Sequence, residues 1–270
     1  MLIDTHCHLC DKRFDKDRQF VFDRAHHVGV RAFVEIAYAP GIWERAFALA
    51  AEHPDLFLAV GVHPSESGKV PMDALSVLRD HARHPRVVAI GEIGMDFFRD
   101  YASREDQERW FHTQIALANE VGLPVVIHQR SALEDVLGTL ERTPVEAGGV
   151  LHCFDENVDA MRRAEALGFK LGVGGVLTYG HEALEEAIAA APEHMLVLET
   201  DAPYLEPEPR SLKRNEPSLL PRVVKRLCEL RGWTPQQAVE ITGRNARELF
   251  RMPVGPGPGG PHAFLPGDPA

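Results

Sequence analysis

Six residue positions in this 270-residue chain share a chemistry and a recurrent setting. His6 and His8 stand two apart in Ile3-Asp4-Thr5-His6-Cys7-His8, and on an extended strand that spacing turns both imidazoles to one side. Alone, such a pair is more often hydrogen-bonded or exposed than a ligand pair. Glu92 lies in the apolar run Ala89-Ile90-Gly91-Glu92-Ile93-Gly94, where an unpaired carboxylate is costly. Binding one cation, bridging two, or an internal ion pair would compensate that charge. His128 ends Pro124-Val125-Val126-Ile127, His152 follows Gly149-Val150-Leu151, and Asp201 follows Val197-Leu198-Glu199-Thr200. All these side chains fall at the same end of their apolar runs, so His6, His8, Glu92, His128, His152 and Asp201 are expected to form one metal site. The chemistry expected there is hydrolysis: a divalent pair about 3.5–4 Å apart activates water and stabilises charge on a phosphoryl oxygen. Asp201 would orient the water or take its proton, and Glu92 would complete the catalytic set. No Ser or Cys nucleophile is required.

Further positions carry weaker signals. His63 in Val62-His63-Pro64 is a candidate to hold a substrate phosphate or assist the leaving group, against a structural hydrogen bond. Arg130 has the fork geometry that suits phosphate, against a surface ion pair. Glu199 and Asp4 are candidates to orient ligands from behind. Asp96 and Tyr204 read as local structure, and Arg214-Asn215-Glu216-Pro217 as either a rim or a buried loop staple.

The elements that must position these residues follow from the hydrophobic rhythm. Short apolar runs at Met1–His6, Arg31–Ala37, Leu56–Val62, Val87–Ile93, Pro124–His128, Gly149–His152, Phe169–Val173 and Met195–Glu199 predict eight strands. Amphipathic stretches separate them, from Asp15–Val28 through His181–Ala191, with Ser218–Leu230 after the last strand. Eight strand–helix units predict an α/β fold, a single (β/α)8 barrel, with an open doubly wound sheet as the alternative. Thr234-Pro235 opens an added C-terminal helix, Thr234–Phe250. The expected division is a catalytic domain over residues 1–252 and a flexible Pro/Gly-rich tail over 253–270.

Composition narrows the function classes. A net charge of −11 argues against a broad basic nucleic-acid-binding surface, although a metal pair would attract anions locally. Four scattered cysteines, Cys7, Cys10, Cys153 and Cys228, read as reduced thiols of a cytoplasmic protein. No apolar run is long enough for a membrane span. No dimerisation segment is visible, so a monomer without an obligate protein partner is expected. Mixed imidazole and carboxylate donors suit two divalent ions, with Zn²⁺, Mn²⁺ and Mg²⁺ all open.

Taken together, Ile3-Asp4-Thr5-His6-Cys7-His8-Leu9, Gly61-Val62-His63-Pro64, Gly91-Glu92-Ile93-Gly94-Met95-Asp96, Leu151-His152-Cys153-Phe154, Glu199-Thr200-Asp201-Ala202-Pro203-Tyr204 and Arg214-Asn215-Glu216-Pro217 resemble the motifs of the TatD family of deoxyribonucleases, in order from residue 1 to about 250. The resemblance implies a TIM barrel of the amidohydrolase superfamily. It also implies one metal on His6, His8 and Asp201, another on His128 and His152, and Glu92 bridging both. The implied activity is metal-dependent cleavage of DNA phosphodiesters, including exonuclease action on strand ends. Two departures bear on substrate: Ser65 stands where the family often has a second histidine, and Asp155-Glu156 where small residues are common. Two competing readings are a hydrolase of a small phosphoester, ester or amide, and an inactive metal-binding scaffold.

Overall fold

The computed structural model describes residues 1–210, 212 and 214–252; the tail expected over 253–270 lies outside them. Eight parallel strands run in sequence order: β1 (Leu2–Cys7), β2 (Val30–Ala37), β3 (Leu56–Val60), β4 (Val87–Asp96), β5 (Val125–Arg130), β6 (Gly149–Leu151), β7 (Phe169–Val173) and β8 (Leu196–Leu198). Consecutive order with no reversal excludes the doubly wound alternative. The two ends of the sheet meet just beyond β8. The Asp201 amide donates to the His6 carbonyl at 2.8 Å, the His8 amide to the Ala202 carbonyl at 2.7 Å, and Thr5 Oγ1 to the Leu198 carbonyl at 3.0 Å. The strands thus form a (β/α)8 barrel.

Alternation along the strands builds two apolar layers. Outward residues such as Phe33, Leu58, Ile90, Val125, Leu171 and Leu196 pack beneath the helices. Those helices are α1 (Arg18–His27), α2 (Pro40–Glu52), α3 (Ala74–Ala82), α4 (Arg104–Val121), α5 (Leu133–Arg142), α6 (Val158–Ala166), α7 (Glu182–Ala190) and α8 (Leu220–Arg231). The other parity, including Ile3, Val34, Ala59, Val126, Val150 and Val197, clusters with Ala246, Leu249 and Phe250 of α9 (Pro235–Phe250). This second layer fills the barrel interior, and α9 floors it. Asn245 of α9 donates to the carbonyls of Glu193 and Leu196, at 2.6 and 2.8 Å, where β8 begins. Thr234 and Gln237 cap α9 reciprocally in a capping box. The opposite, C-terminal end of the strands is left open for a site.

Element boundaries depart from the sequence reading mainly at β4 and β5. β4 continues to Asp96 and β5 to Arg130, because Gly94, Met95 and Asp96 keep pairing with His128, Gln129 and Arg130. Gly94 permits this: it has φ 137°, and a Cβ there would meet the His128 carbonyl oxygen at 2.0 Å. The longer β4 puts Asp96, read from sequence as local structure, on the inner face in step with Glu92.

Candidate metal centre

Two of the six expected ligands follow from simple alternation. Val126 and Val150 point into the barrel, so His128 and His152, two residues on, open at its mouth. The others require breaks in register. Counting from Ile3 would bring Thr5 and Cys7 inward, but a register shift between Asp4 and Cys7 delivers His6 and His8 instead. A second shift between Gly91 and Ile93 surrounds Glu92. Asp201 has φ 57°, in the left-handed region, and its amide is tied to His6. Asn215 holds the following loop from beneath, donating to the carbonyls of Thr200 and Tyr204 at 2.7 Å each. The Arg214–Pro217 segment is therefore a buried staple at Asn215.

The structure brings all six residues together, with Glu92 at the centre. Its Oε2 lies 3.5 Å from His6 Nε2, while its Oε1 lies 2.7 Å from His128 Nδ1, 3.5 Å from His152 Nε2 and 3.7 Å from His63 Nε2. On the Oε2 side, His6 and His8 approach through their Nε2 atoms at 3.3 Å, and Asp201 Oδ1 stands 3.5 and 3.2 Å from them. Donors on a tetrahedral ion at about 2.0–2.2 Å stand about 3.3–3.6 Å apart, so these separations fit a divalent cation. His6 Nδ1 and His8 Nδ1 are buried and without a hydrogen-bond partner among the described residues, which leaves the facing Nε2 atoms as their working ends. Three donor sets lie close enough to hold an ion: His6, His152 and Asp201; His6, His8 and Glu92; and His63, Glu92 and His128.

Electrostatics show how tightly these groups are coupled. Burial pushes the Glu92 carboxyl upward, but His152, His6, His63 and the hydrogen bond from His128 outweigh it and hold the group well below the usual carboxylate range. His6 is driven well below an ordinary histidine by burial and by the neighbouring His152, whose ring it stacks on at 3.5 Å. Burial also opposes the charged form of His152, yet Glu199 and Glu92 raise it to about 10. A cluster of imidazoles held by carboxylates in this way is a site whose protons a cation would replace.

The flanking residues divide by what they touch. Glu199 Oε1 stands 3.0 Å from His152 Nδ1 and accepts from the Cys153 amide at 2.6 Å, fixing the ring from behind. Asp4 lies behind His6: it accepts the His6 backbone amide at 3.3 Å and the amide and hydroxyl of Thr200 at 2.9 and 2.6 Å, bracing the β1–β8 closure. His63 accepts the Ser65 amide at Nδ1, 3.0 Å away, so the neutral ring carries its proton on Nε2, facing Glu92. Burial and His128 lower this histidine to about 3, which keeps it a neutral donor. Asp96 Oδ2 lies 3.3 Å from His128 Nε2, a contact that the sequence reading missed. The signal was available: Glu92, Gly94 and Asp96 alternate along one strand face.

A cavity of about 700 Å³ opens over the centre, lined by His8, His63, Glu92, His128, His152 and Asp201 and rimmed by Lys69, Arg99, Arg130 and Asp155. Arg130 lies in it without an ion pair among the described residues, its guanidinium 3.9 Å over the Phe98 ring. Gln129 donates to both Asp155 and Glu156, at 3.2 and 3.1 Å, drawing those carboxylates into one rim patch.

Known proteins share this whole arrangement of chain. Bacillus subtilis YabD, an uncharacterized metal-dependent hydrolase, is 36% identical over 254 residues, covering 93% of this chain and all of that protein. A 3'-5' ssDNA/RNA exonuclease TatD from a Rahnella species is 36% identical over 252 residues, covering 90% and 96%. The crystal structure of YJJV, a TatD homologue from Escherichia coli K12, superposes with a TM-score of 0.89 at 33% identity, covering 93% of this chain and 98% of that one. The family model for TatD related DNase matches residues 3–251, which takes in the strands from Ile3 onward and every donor described above, and the chain belongs to that family.

Proposed function

We propose that this metal-dependent hydrolase is a nuclease that cleaves phosphodiester bonds at the ends of single strands, with two divalent ions held around Glu92. The observation that carries this reading is the two-sided placement of Glu92, with one carboxylate oxygen toward His6 and the other toward His128 and His152. His6, His8 and Asp201 would hold one ion, His128 and His152 the other, and Glu92 both. Such a pair supplies a water that ionises near neutral pH and positive charge for the phosphoryl oxygens. Asp201, with Oδ1 among the Nε2 atoms of His6 and His8, orients the water and takes its proton. His63 offers Nε2–H to a phosphate oxygen or the departing oxygen, and Arg130 offers its fork to a neighbouring phosphate. Glu199 keeps His152 turned toward the centre.

Every donor comes from one barrel, which supports action as a single chain. The four free cysteines fit a cytoplasmic setting, and no helix among the described residues is long and apolar enough to cross a membrane. The test loads wild type and Glu92→Ala with Zn²⁺, Mn²⁺ or Mg²⁺ and offers end-labelled single- and double-stranded DNA, RNA, small phosphodiesters, esters and amides. Shortening of strands from the end by wild type, and loss of at least about 100-fold in Glu92→Ala, is the expected result. Cleavage of small esters alone would assign the site to a different substrate. Equal activity in Glu92→Ala would remove Glu92 from the mechanism.

A further inference from the structure

Large apolar side chains exposed to water are few among the described residues; Tyr101, Tyr204 and Leu205 line the cavity, and Phe98 stands against Arg130, which also lines it. Phe98 is 58% exposed and Tyr101 51% exposed, both on the loop that follows β4. Two guanidinium groups accompany them. Arg130 lies 3.9 Å over the Phe98 ring, and Arg99 lies 5.9 Å from Phe98 and 5.8 Å from Tyr101, donating to the Tyr101 hydroxyl at 3.2 Å. Most surface arginines here are paired with carboxylates, including Arg24, Arg104, Arg163 and Arg226. Among the described residues, neither Arg99 nor Arg130 is ion-paired. In a chain of net charge −11, two unneutralised guanidiniums beside exposed rings mark a surface that keeps its positive charge for a ligand.

The loop is anchored to the centre. Asp96 accepts the amides of Phe98 and Arg99 at 3.0 and 3.3 Å through Oδ1, while its Oδ2 contacts His128. The Phe97 amide donates to the Arg130 carbonyl at 2.9 Å, tying the loop to β5. Phe98 is two residues from Asp96, a chain span of at most about 7 Å.

We propose that Phe98, Tyr101, Arg99 and Arg130 form a nucleotide subsite beside the metal centre, in which one unpaired base stacks on the aromatic rings and its phosphate is held by the two arginines. The inference rests on the nuclease reading and deepens it. Exposed rings accept any base face and so give little sequence preference, whereas a base in a duplex has both faces covered and must unstack first. The acidic patch of Asp155 and Glu156 carries the opposite sign, so the strand's phosphates lie on the Arg99–Arg130 side of the cavity. The subsite thus selects frayed or single-stranded ends by stacking, and it fixes the direction in which the strand leaves the centre.

The test uses the metal-loaded protein with single strands carrying 2-aminopurine near one end. Stopped-flow fluorescence reads stacking before turnover, and steady-state assays give the ratio of kcat/KM for the strand to that for bis(p-nitrophenyl) phosphate. Expected in wild type and Phe98→Trp is rapid quenching; in Phe98→Ala the quenching is lost and the ratio falls by about 5- to 150-fold. Phe20→Ala, which removes an exposed ring on α1 that does not line the cavity and touches neither Arg99 nor Arg130, controls for loss of surface aromatic area. Unchanged quenching and an unchanged ratio in both Phe98→Ala and Tyr101→Ala would overturn the subsite while leaving the nuclease reading intact. If wild type cleaves no strand, the nuclease reading fails by itself. Quenching that still depends on Phe98 would then support the subsite as a binding site, and absent quenching would overturn it.

Discussion

Glu35 shows how a single buried carboxylate can report on the shell around the centre. It is fully buried on β2 and accepts from the amides of Leu9 and Cys10 at 2.5 and 3.1 Å, holding the turn that follows His8. Burial pushes its carboxyl up to about 7, against the lowering effect of His8 and the two amides. In the metal-free protein the folded state therefore keeps a proton on Glu35 between about pH 4.5 and 7 that the unfolded chain releases. Stability from this group is full below about pH 4.5 and is lost as pH rises through about 7, by an amount on the order of 3 kcal/mol. Denaturant midpoints of the metal-free protein should fall across that window, and in Glu35→Gln the fall should become shallower without vanishing, because burial raises Asp4 to about 7 as well and it titrates alongside. An unchanged pH slope in Glu35→Gln would show that other groups carry the dependence.

Among the elements, α9 does the work of a floor, separate from the chemistry at the other end of the barrel. Gly243 lies where α9 crosses the start of β1, and a Cβ there would stand 2.1 Å from the Met1 carbonyl oxygen. In an isolated helix alanine would be favoured over glycine by about 0.8–1.0 kcal/mol. Overpacking costs about 1–3 kcal/mol, and a backbone carbonyl cannot step aside as a flexible side chain does, so the clash prevails. Gly243→Ala should lower the urea midpoint with an unchanged m-value, and folded molecules should keep their hydrolytic rate. A raised midpoint would mean that the chain start yields without cost.

On the scale of the molecule, a net charge of −11 surrounds a cavity whose rim cations are Lys69, Arg99 and Arg130. Lys69 is 3.0 Å from Glu66, which leaves Arg99 and Arg130 as the main cationic contacts for a strand. Two or three phosphate contacts to single-stranded DNA give a slope of about −1.4 to −2.1 in log affinity against log salt. Strand binding, read from KM across a salt series, should follow that shallow slope. A slope steeper than about −4 would require a broader cationic surface than this chain presents.

How much of this was legible in the sequence differs from residue to residue. The eight apolar runs and their separation determined eight strands alternating with helices, because burial on both faces leaves parallel strands as nearly continuous hydrophobic segments, whereas the consecutive strand order that makes them a barrel came from the structure. The period of two also placed His128 and His152, since Val126 and Val150 before them face inward. It did not place His6, His8 or Glu92, which depend on register shifts in β1 and β4 set by pairing with neighbouring strands. The alternation of Glu92, Gly94 and Asp96 pointed to Asp96, but that β4 runs so far depends on Gly94 lying against the His128 backbone. The sequence by itself determined which residues were available to bind metal and that their strands end at a common mouth. Only the tertiary structure decided which oxygen of Glu92 faces which imidazole, because those distances come from strands far apart in the chain closing into one ring.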